Sequence, residues 1–160
     1  MTPTEYLNKV LVTGSKIDSL DYIKLGIMEE SGEIAGKIKR LYRGDYSEEV
    51  FKGQIAKELG DLTWYLTLYA YKQGQPIAHY RLPRQHNMMD SFYNIEILKI
   101  HLLKSSNSKQ QTVIINTMIG SVIDLANNCG YSMDQITDMN INKTLGRLQR
   151  NKIRGVGDER

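Results

Sequence analysis

Residues 19–44 have the sequence SLDYIKLGIMEESGEIAGKIKRLYRG, and this stretch decides the fold class. Its apolar side chains recur at spacings of three, four and seven, which is the pattern of one buried face of an α-helix. The members of this stripe are Ile23, Ile27, Ile34, Ile38 and Leu41. We therefore predict a long helix from about Ser19 to Tyr42 that stops at Gly44.

Further helices are predicted on both sides of this stretch. They cover residues 2–13, 45–74, 91–103, 112–128 and 132–150, and capping sequences begin three of them, at 2–5, 45–48 and 132–135. Residues 75–90 contain two of the three prolines and show no periodicity, so they are predicted to form a loop. We expect one all-α domain over residues 1–160, with a loop and an extra helix at 75–110 and a basic tail at 147–160.

Charge and composition exclude several classes of protein. The 21 basic and 18 acidic residues give a net charge of +3, which is too small to indicate a nucleic-acid or membrane partner. The chain has no signal-peptide pattern and no apolar run long enough to span a membrane. The lone Cys129 fits a reducing compartment and is predicted to be a core residue. We therefore expect a soluble cytoplasmic protein.

Two acidic pairs interrupt the apolar stripes of the long helices. Glu30 fills the gap between two stripe residues of the first, and Glu58 does the same in the helix at 45–74. Glu33 and Asp61 follow them at a spacing of three, on the same helix face. Each pair encloses a glycine, Gly32 or Gly60, whose cost within a helix suggests close helix approach.

Antiparallel packing of these two helices would bring Glu30, Glu33, Glu58 and Asp61 together. Burying four carboxylates without a counterion is costly, and oxygen ligands favour Mg²⁺, with Mn²⁺ as a possible substitute. A di-iron site is disfavoured because no histidine lies three residues after a glutamate. The alternative is that Glu33 pairs with Lys37 and Asp61 with Lys57 on solvated helix faces.

These acidic pairs resemble the hallmark of the MazG-like, all-α nucleoside triphosphate pyrophosphohydrolases, Glu-x-x-Glu followed after a spacer by Glu-x-x-Asp. Residues 140–147, NINKTLGR, are similar to the Asn-x-x-Lys-x-x-x-Arg helix of that family. Residues 147–160 resemble the tail of its small phage and bacterial members, with departures at Asn151 and Val156. The resemblance implies that the four acids ligate Mg²⁺ and that a nucleoside triphosphate is hydrolysed to the monophosphate and pyrophosphate.

Roles for single residues follow from this hypothesis. Glu33 or Glu29 can take the proton of the attacking water, although Glu29 lies off the stripe. Lys143 and Arg147 share a helix face with Asn140, a spacing suited to holding phosphates. The predicted substrate-binding residues are Asn140, Lys143, Arg147, Arg154 and Trp64. Trp64 and Tyr65 could stack on a base, but aromatic residues in an apolar stripe are more often part of the core.

Oligomerisation and two alternative functions complete the prediction. A helix pair with extensive apolar faces needs a cover, so we expect a homodimer or a homotetramer to complete the bundle. The alternative from another class is a non-catalytic helical module that binds nucleic acid or a partner protein through its basic C-terminal segment, although a nucleic-acid partner is disfavoured. Within enzymes, a relative acting on phosphoribosyl-ATP or on a diphosphate remains open. The sequence does not select the base or the sugar.

Overall fold

Six α-helices make up the part of the chain that the computed structural model describes, which is residues 1–77 and 86–150. No strand occurs within these two ranges, so the prediction of an all-α fold is confirmed. In chain order the helices are α1 (Pro3–Thr13), α2 (Leu20–Arg43), α3 (Glu48–Lys72), α4 (Met88–Lys104), α5 (Ser108–Asn128) and α6 (Met133–Gln149). Part of the predicted loop, 78–85, and the last ten residues, 151–160, lie outside the described residues.

The helix starts follow from side chains that accept a hydrogen bond from the first turn. Ser19 and Ser47 cap α2 and α3, while complete capping boxes begin α1 and α6. Asn87 caps α4 and Asn107 caps α5 in the same way, so these helices begin three and four residues before the predicted starts at 91 and 112. The loop predicted through residue 90 is therefore too long, because an asparagine cap was not recognised at either position.

Two antiparallel hairpins and two further helices build the bundle. α2 and α3 are joined by residues 44–47, and contacts between Gly26 and Tyr65 and between Lys37 and Glu58 show their antiparallel course. α4 and α5 form the second hairpin, and α4 packs on α2 while α5 packs on α3. α1 and α6 cover another side of α3. The result places α3 at the centre of the molecule.

Burial of α3 on several sides exceeds what its sequence predicted. Fourteen of its 25 residues are buried, because it contacts α1, α2, α5 and α6. The apolar stripe predicted for α3 is a single helix face, so it accounts for packing on one side only. The buried Cys129 confirms the prediction of a core thiol, and burial raises its pKa to about 11. Nowhere in residues 1–77 and 86–150 is a helix both long and apolar enough to cross a bilayer.

The two glycines of the acidic pairs differ in their surroundings. A Cβ on Gly60 would lie 3.0 Å from the Asn140 Cβ and 3.3 Å from the Ile136 carbonyl oxygen, so this glycine lets α6 approach α3 closely. A Cβ on Gly32 would meet no atom within 4 Å. Close helix approach was therefore correctly predicted at Gly60, and the prediction was wrong at Gly32.

Candidate metal centre

Three carboxylates from α2 and α3 converge at the contact between these helices. One oxygen of each of Glu30, Glu33 and Glu58 lies within 4.8 Å of the corresponding oxygen of the other two. Glu30 is partly buried, Glu33 is exposed and Glu58 is only 1% exposed. The cluster thus opens to solvent on the Glu33 side and is closed on the Glu58 side. It contains three of the four acids that the sequence suggested as metal ligands.

The buried carboxylate of Glu58 has a lysine as its counterion. The Lys37 Nζ lies 2.9 Å from the Glu58 Oε1, and this ammonium is itself only 13% exposed. Burial raises the pKa of Glu58, and the Lys37 ammonium opposes that rise. The sequence alternative paired Lys37 with Glu33, whereas the ion pair in the structure joins Lys37 across the helices to Glu58. The Lys37 ammonium therefore balances the most buried of the three carboxyl groups.

Glu30 shows the electrostatic cost of this arrangement. Burial and, in decreasing order, the neighbouring charges of Asp61, Glu33 and Glu58 together raise the pKa of the Glu30 carboxyl to about 9, and the Lys143 ammonium opposes part of that rise. Near neutral pH the metal-free cluster therefore keeps a proton on Glu30. A divalent cation would replace this proton, and an all-oxygen donor set matches the preference of Mg²⁺. The residues present thus fit a hard cation.

Asp61 is held by α6 and lies outside the group of three carboxylates. The Asn140 Nδ2 donates to the Asp61 Oδ1 at 2.7 Å, and the Lys143 ammonium forms an ion pair with the other carboxylate oxygen. The Tyr6 hydroxyl donates in turn to the Asn140 Oδ1 at 2.9 Å. The Asn140 amide is therefore fixed at both ends, between α1 and α3. The sequence alternative gave Asp61 to Lys57, but the lysine that pairs with it is Lys143.

A cleft of about 430 Å³ lies between α3 and α6, next to the two α6 residues that hold Asp61. Its lining residues are Lys57, Met139, Asn140, Asn142 and Lys143. Two of the five are lysines, and Lys143 is also the residue that pairs with Asp61. A volume of this size falls in the range of small-molecule sites in proteins. The cleft is therefore connected to Asp61 through Asn140 and Lys143.

The other predicted site residues lie outside the group of three carboxylates or outside the described residues. Arg147 lies one turn after Lys143 on α6 and is partly buried, while Glu29 is exposed on α2. Arg154 belongs to residues 151–160, outside the described part of the chain. Trp64 is 7% exposed, packs edge-on against Tyr65 and donates its Nε1 hydrogen to the Thr13 Oγ1 at 2.9 Å. These contacts are those of a core residue, so we do not place Trp64 in the substrate site.

Two residues of the site, Lys37 and Tyr6, were missed by sequence reasoning, and Tyr65 was considered only as a residue that stacks on a base. Lys37 lies seven positions after Glu30, and this spacing places both on one face of α2 and could have indicated a shared site. Tyr6 carries no such signal, because its link to Asn140 depends on how α1 packs on α6. Tyr65 packs over Gly26, where a Cβ would lie 2.3 Å from the ring, and burial raises the pKa of its phenol. Smaller contributions to that rise come from Tyr22, Glu30 and Glu29, so Tyr65 lies near the acidic cluster.

The chain is similar to one short protein of a bacteriophage. It is 37% identical over 57 residues to the gene 37 protein of Mycobacterium phage L5. The match covers 34% of this chain and 49% of the phage protein, so the chain spans about half the length of the curated relative it matches. No protein-family model matches the sequence, and no solved structure matches it.

Proposed function

We propose that this chain is a Mg²⁺-dependent nucleoside triphosphate pyrophosphohydrolase of the MazG-like type, with Mn²⁺ as a possible substitute metal. The proposal rests on the resemblance of residues 30–33, 58–61 and 140–147 to that family. The observation that carries it is the convergence of Glu30, Glu33 and Glu58 within 4.8 Å. A structural role alone does not require this convergence, since carboxylates that lie close together repel one another.

The metal would be held by Glu30, Glu33 and Glu58, with Asp61 as the fourth acid. Bound there, Mg²⁺ would neutralise phosphate oxygens and make a water molecule easier to deprotonate. Asp61 needs a fixed orientation to contribute, and the hydrogen bond from Asn140 supplies that orientation. Asn140 is 3% exposed and is therefore a positioning residue for Asp61 rather than a direct phosphate ligand.

Proton transfer falls to an exposed carboxylate at the open side of the cluster. Hydrolysis adds water at the α-phosphorus, breaks its bond to the oxygen that bridges to the β-phosphate, and releases pyrophosphate. The attacking water loses one proton, which Glu33 can accept because it is solvent-exposed and lies beside the other two carboxylates. Glu29 is exposed next to Glu30 and is the second candidate for this role.

The substrate is proposed to lie along α6. Lys143 is the cation that borders both Asp61 and the cleft, so its ammonium is placed to meet a phosphate oxygen. Lys57 lies in the same cleft wall, and Arg147 follows Lys143 by one helical turn. Met139 and Asn142 line the rest of the cleft, and the nucleoside of the proposed substrate would lie against them. Arg154 stays a predicted substrate contact.

A direct assay of products tests the proposal. We expect the purified chain with Mg²⁺ to convert a ribo- or deoxyribonucleoside triphosphate into the monophosphate and pyrophosphate, followed by phosphorus NMR. Removal of a group behind a metal ligand costs about 10–100-fold, so loss of a ligand in Glu58→Gln or Asp61→Asn should lower the rate at least about a hundredfold. The matched control is Glu49→Gln, an exposed acid on the same helix about 14 Å from Glu58 along its axis.

The outcomes separate the proposal from its alternative. An unchanged rate in Glu58→Gln, or release of phosphate in place of pyrophosphate, would contradict the proposed chemistry. Binding of nucleic acid that weakens steeply with salt, ignores chelation of Mg²⁺ and is accompanied by no hydrolysis would favour the non-catalytic module. The control variant should retain the wild-type rate, because its carboxylate lies far from the cluster.

A further inference from the structure

The outer face of α4 carries an apolar stripe that is not covered by any of the other helices in residues 1–77 and 86–150. Tyr93, Ile97 and Ile100 are 54%, 54% and 50% exposed. The opposite side of α4 supplies Phe92, Ile95 and Leu102 to the core, so the helix needs no further apolar residues for its own packing. An amphipathic helix in contact with water on its outer side normally carries polar residues there.

The spacing of this stripe is that of a helix pairing seam. Counting from Asp90 through Tyr93, Ile97 and Ile100 to Lys104, the intervals alternate three, four, three and four. This alternation defines the a and d positions of a coiled coil, which face a second helix along their full length. The seam begins with an exposed acid and ends with an exposed base, about 21 Å apart. We call these five residues the α4 seam.

The charged ends of the α4 seam favour one orientation. Asp90 and Lys104 each lie seven residues from Ile97. A second copy of α4 running antiparallel therefore places each Asp90 near Lys104 of the partner subunit, whereas a parallel copy would place like charges together. Antiparallel pairing about a two-fold axis at Ile97 is also self-complementary, as required of a symmetric dimer.

Neighbouring charges on α4 are already used inside the subunit. Lys99 pairs with Glu96 at 2.6 Å and donates to the Ser31 hydroxyl of α2 at 2.7 Å. Asp90 accepts a hydrogen bond from the Asn87 amide, which is a neutral partner. Lys99 and Glu96 therefore have partners within the subunit. Asp90 and Lys104, at the ends of the α4 seam, are placed to pair with a second subunit.

We propose that the α4 seam is the contact of a symmetric homodimer in which two α4 helices pair antiparallel. Ile97 lies near the axis, Tyr93 packs against Ile100 of the partner subunit, and Asp90 faces Lys104 of the partner subunit. This proposal is independent of the metal centre, since none of the carboxylates of that site belongs to α4. It identifies the surface through which a second copy would cover the bundle.

Sedimentation of the full chain tests the contact. We expect a wild-type dimer, and Ile97→Glu should raise its dissociation constant at least about a hundredfold, because it places two like charges near the axis in an apolar contact. The matched control is Val12→Glu, which changes an equally exposed valine on α1, a helix that does not contact α4. Circular dichroism of each variant verifies that the helices remain folded.

Exchange of the end charges tests the orientation. Asp90→Lys and Lys104→Asp should each weaken the dimer, because each leaves like charges facing each other at both ends. An equimolar mixture of the two variants should dimerise again, because opposite charges then meet at both ends of the mixed pair. A monomeric wild type, a dimer that is indifferent to Ile97→Glu, or a mixture that fails to recover would each overturn the proposal.

Discussion

At the scale of single residues, Gly60 and Gly32 occupy equivalent positions in the two acidic pairs but have different neighbours. Gly60→Ala should destabilise the fold by about 1–3 kcal/mol, because its Cβ would press on α6. Gly32→Ala meets open space and should raise the unfolding free energy by up to about 1 kcal/mol through better helix propensity. Urea unfolding measures both, and a similar effect of the two changes would contradict the close packing at Gly60.

The raised pKa of Glu30 predicts a pH dependence of stability for the metal-free protein. An unfolded glutamate loses its proton near pH 4.5, whereas the folded one keeps it up to about pH 9. Between these values the folded state binds more protons, so stability falls as the pH rises, by at most about 1.4 kcal/mol per pH unit for one proton. The raised pKa of Glu58 acts in the same direction.

Glu30→Gln isolates this contribution. The variant cannot ionise at this position, so its unfolding free energy should decline less between pH 5 and pH 8.5 than that of the wild type, by about 1.4 kcal/mol per pH unit at most. Chemical denaturation in the presence of a chelator measures the difference. Parallel curves for the two proteins would show that Glu30 titrates at its ordinary pKa.

At the scale of helices, sequence pattern located α2 to within one residue because it has a clear stripe and a serine cap. The predicted start of α3 at residue 45 is three residues too early, because Ser47 caps this helix and not Asp45. The early starts of α4 and α5 were missed because Asn87 and Asn107 act as caps, a role that the sequence analysis gave only to serine, threonine and aspartate. The burial of α3 on several sides could not be predicted from its stripe, because it depends on how many other helices pack around it.

For the candidate site, the sequence predicted the residues that share a helix face but not their partners on distant helices. Spacing within one helix identifies Glu30 with Glu33 and Glu58 with Asp61, and the short connection between α2 and α3 makes their meeting expected. Spacing does not show that Asp61 turns to α6, because its bonds to Asn140 and Lys143 join residues about 80 positions apart in the chain. Partners of this kind are fixed by packing.

The hydrogen bonds that connect α1, α6 and α3 predict that a change at Tyr6 alters metal binding at the candidate site. Tyr6→Phe removes the hydroxyl that donates to Asn140, which in turn holds Asp61. We expect the affinity for Mg²⁺ to fall about 10-fold or more, as is usual for groups behind a metal ligand. Calorimetric titration measures it, and Tyr42→Phe, on a 70% exposed tyrosine, is the control. An unchanged affinity in Tyr6→Phe would assign Tyr6 to packing alone.

At the scale of the whole molecule, metal binding and folding should be linked. A cation that binds only the folded chain stabilises it by about 2.7 kcal/mol at a hundred times its dissociation constant. We therefore expect Mg²⁺ to raise the unfolding temperature of the wild type and of Glu49→Gln, but not that of Glu58→Gln. Matched ionic strength in sodium chloride separates specific binding from screening. An equal rise in all three proteins would argue against the carboxylate cluster as the site.

The ion pair between Lys143 and Asp61 has a consequence for the order of events in the proposed enzyme. In the absence of ligands, each of these residues satisfies the other. A divalent ion that takes Asp61 releases the ammonium toward phosphate, and a phosphate that takes Lys143 releases the carboxylate toward metal. Each ligand then strengthens the binding of the other by the same factor, whichever arrives first. Such reciprocity would make the enzyme respond to the metal–nucleotide complex more strongly than to either component alone.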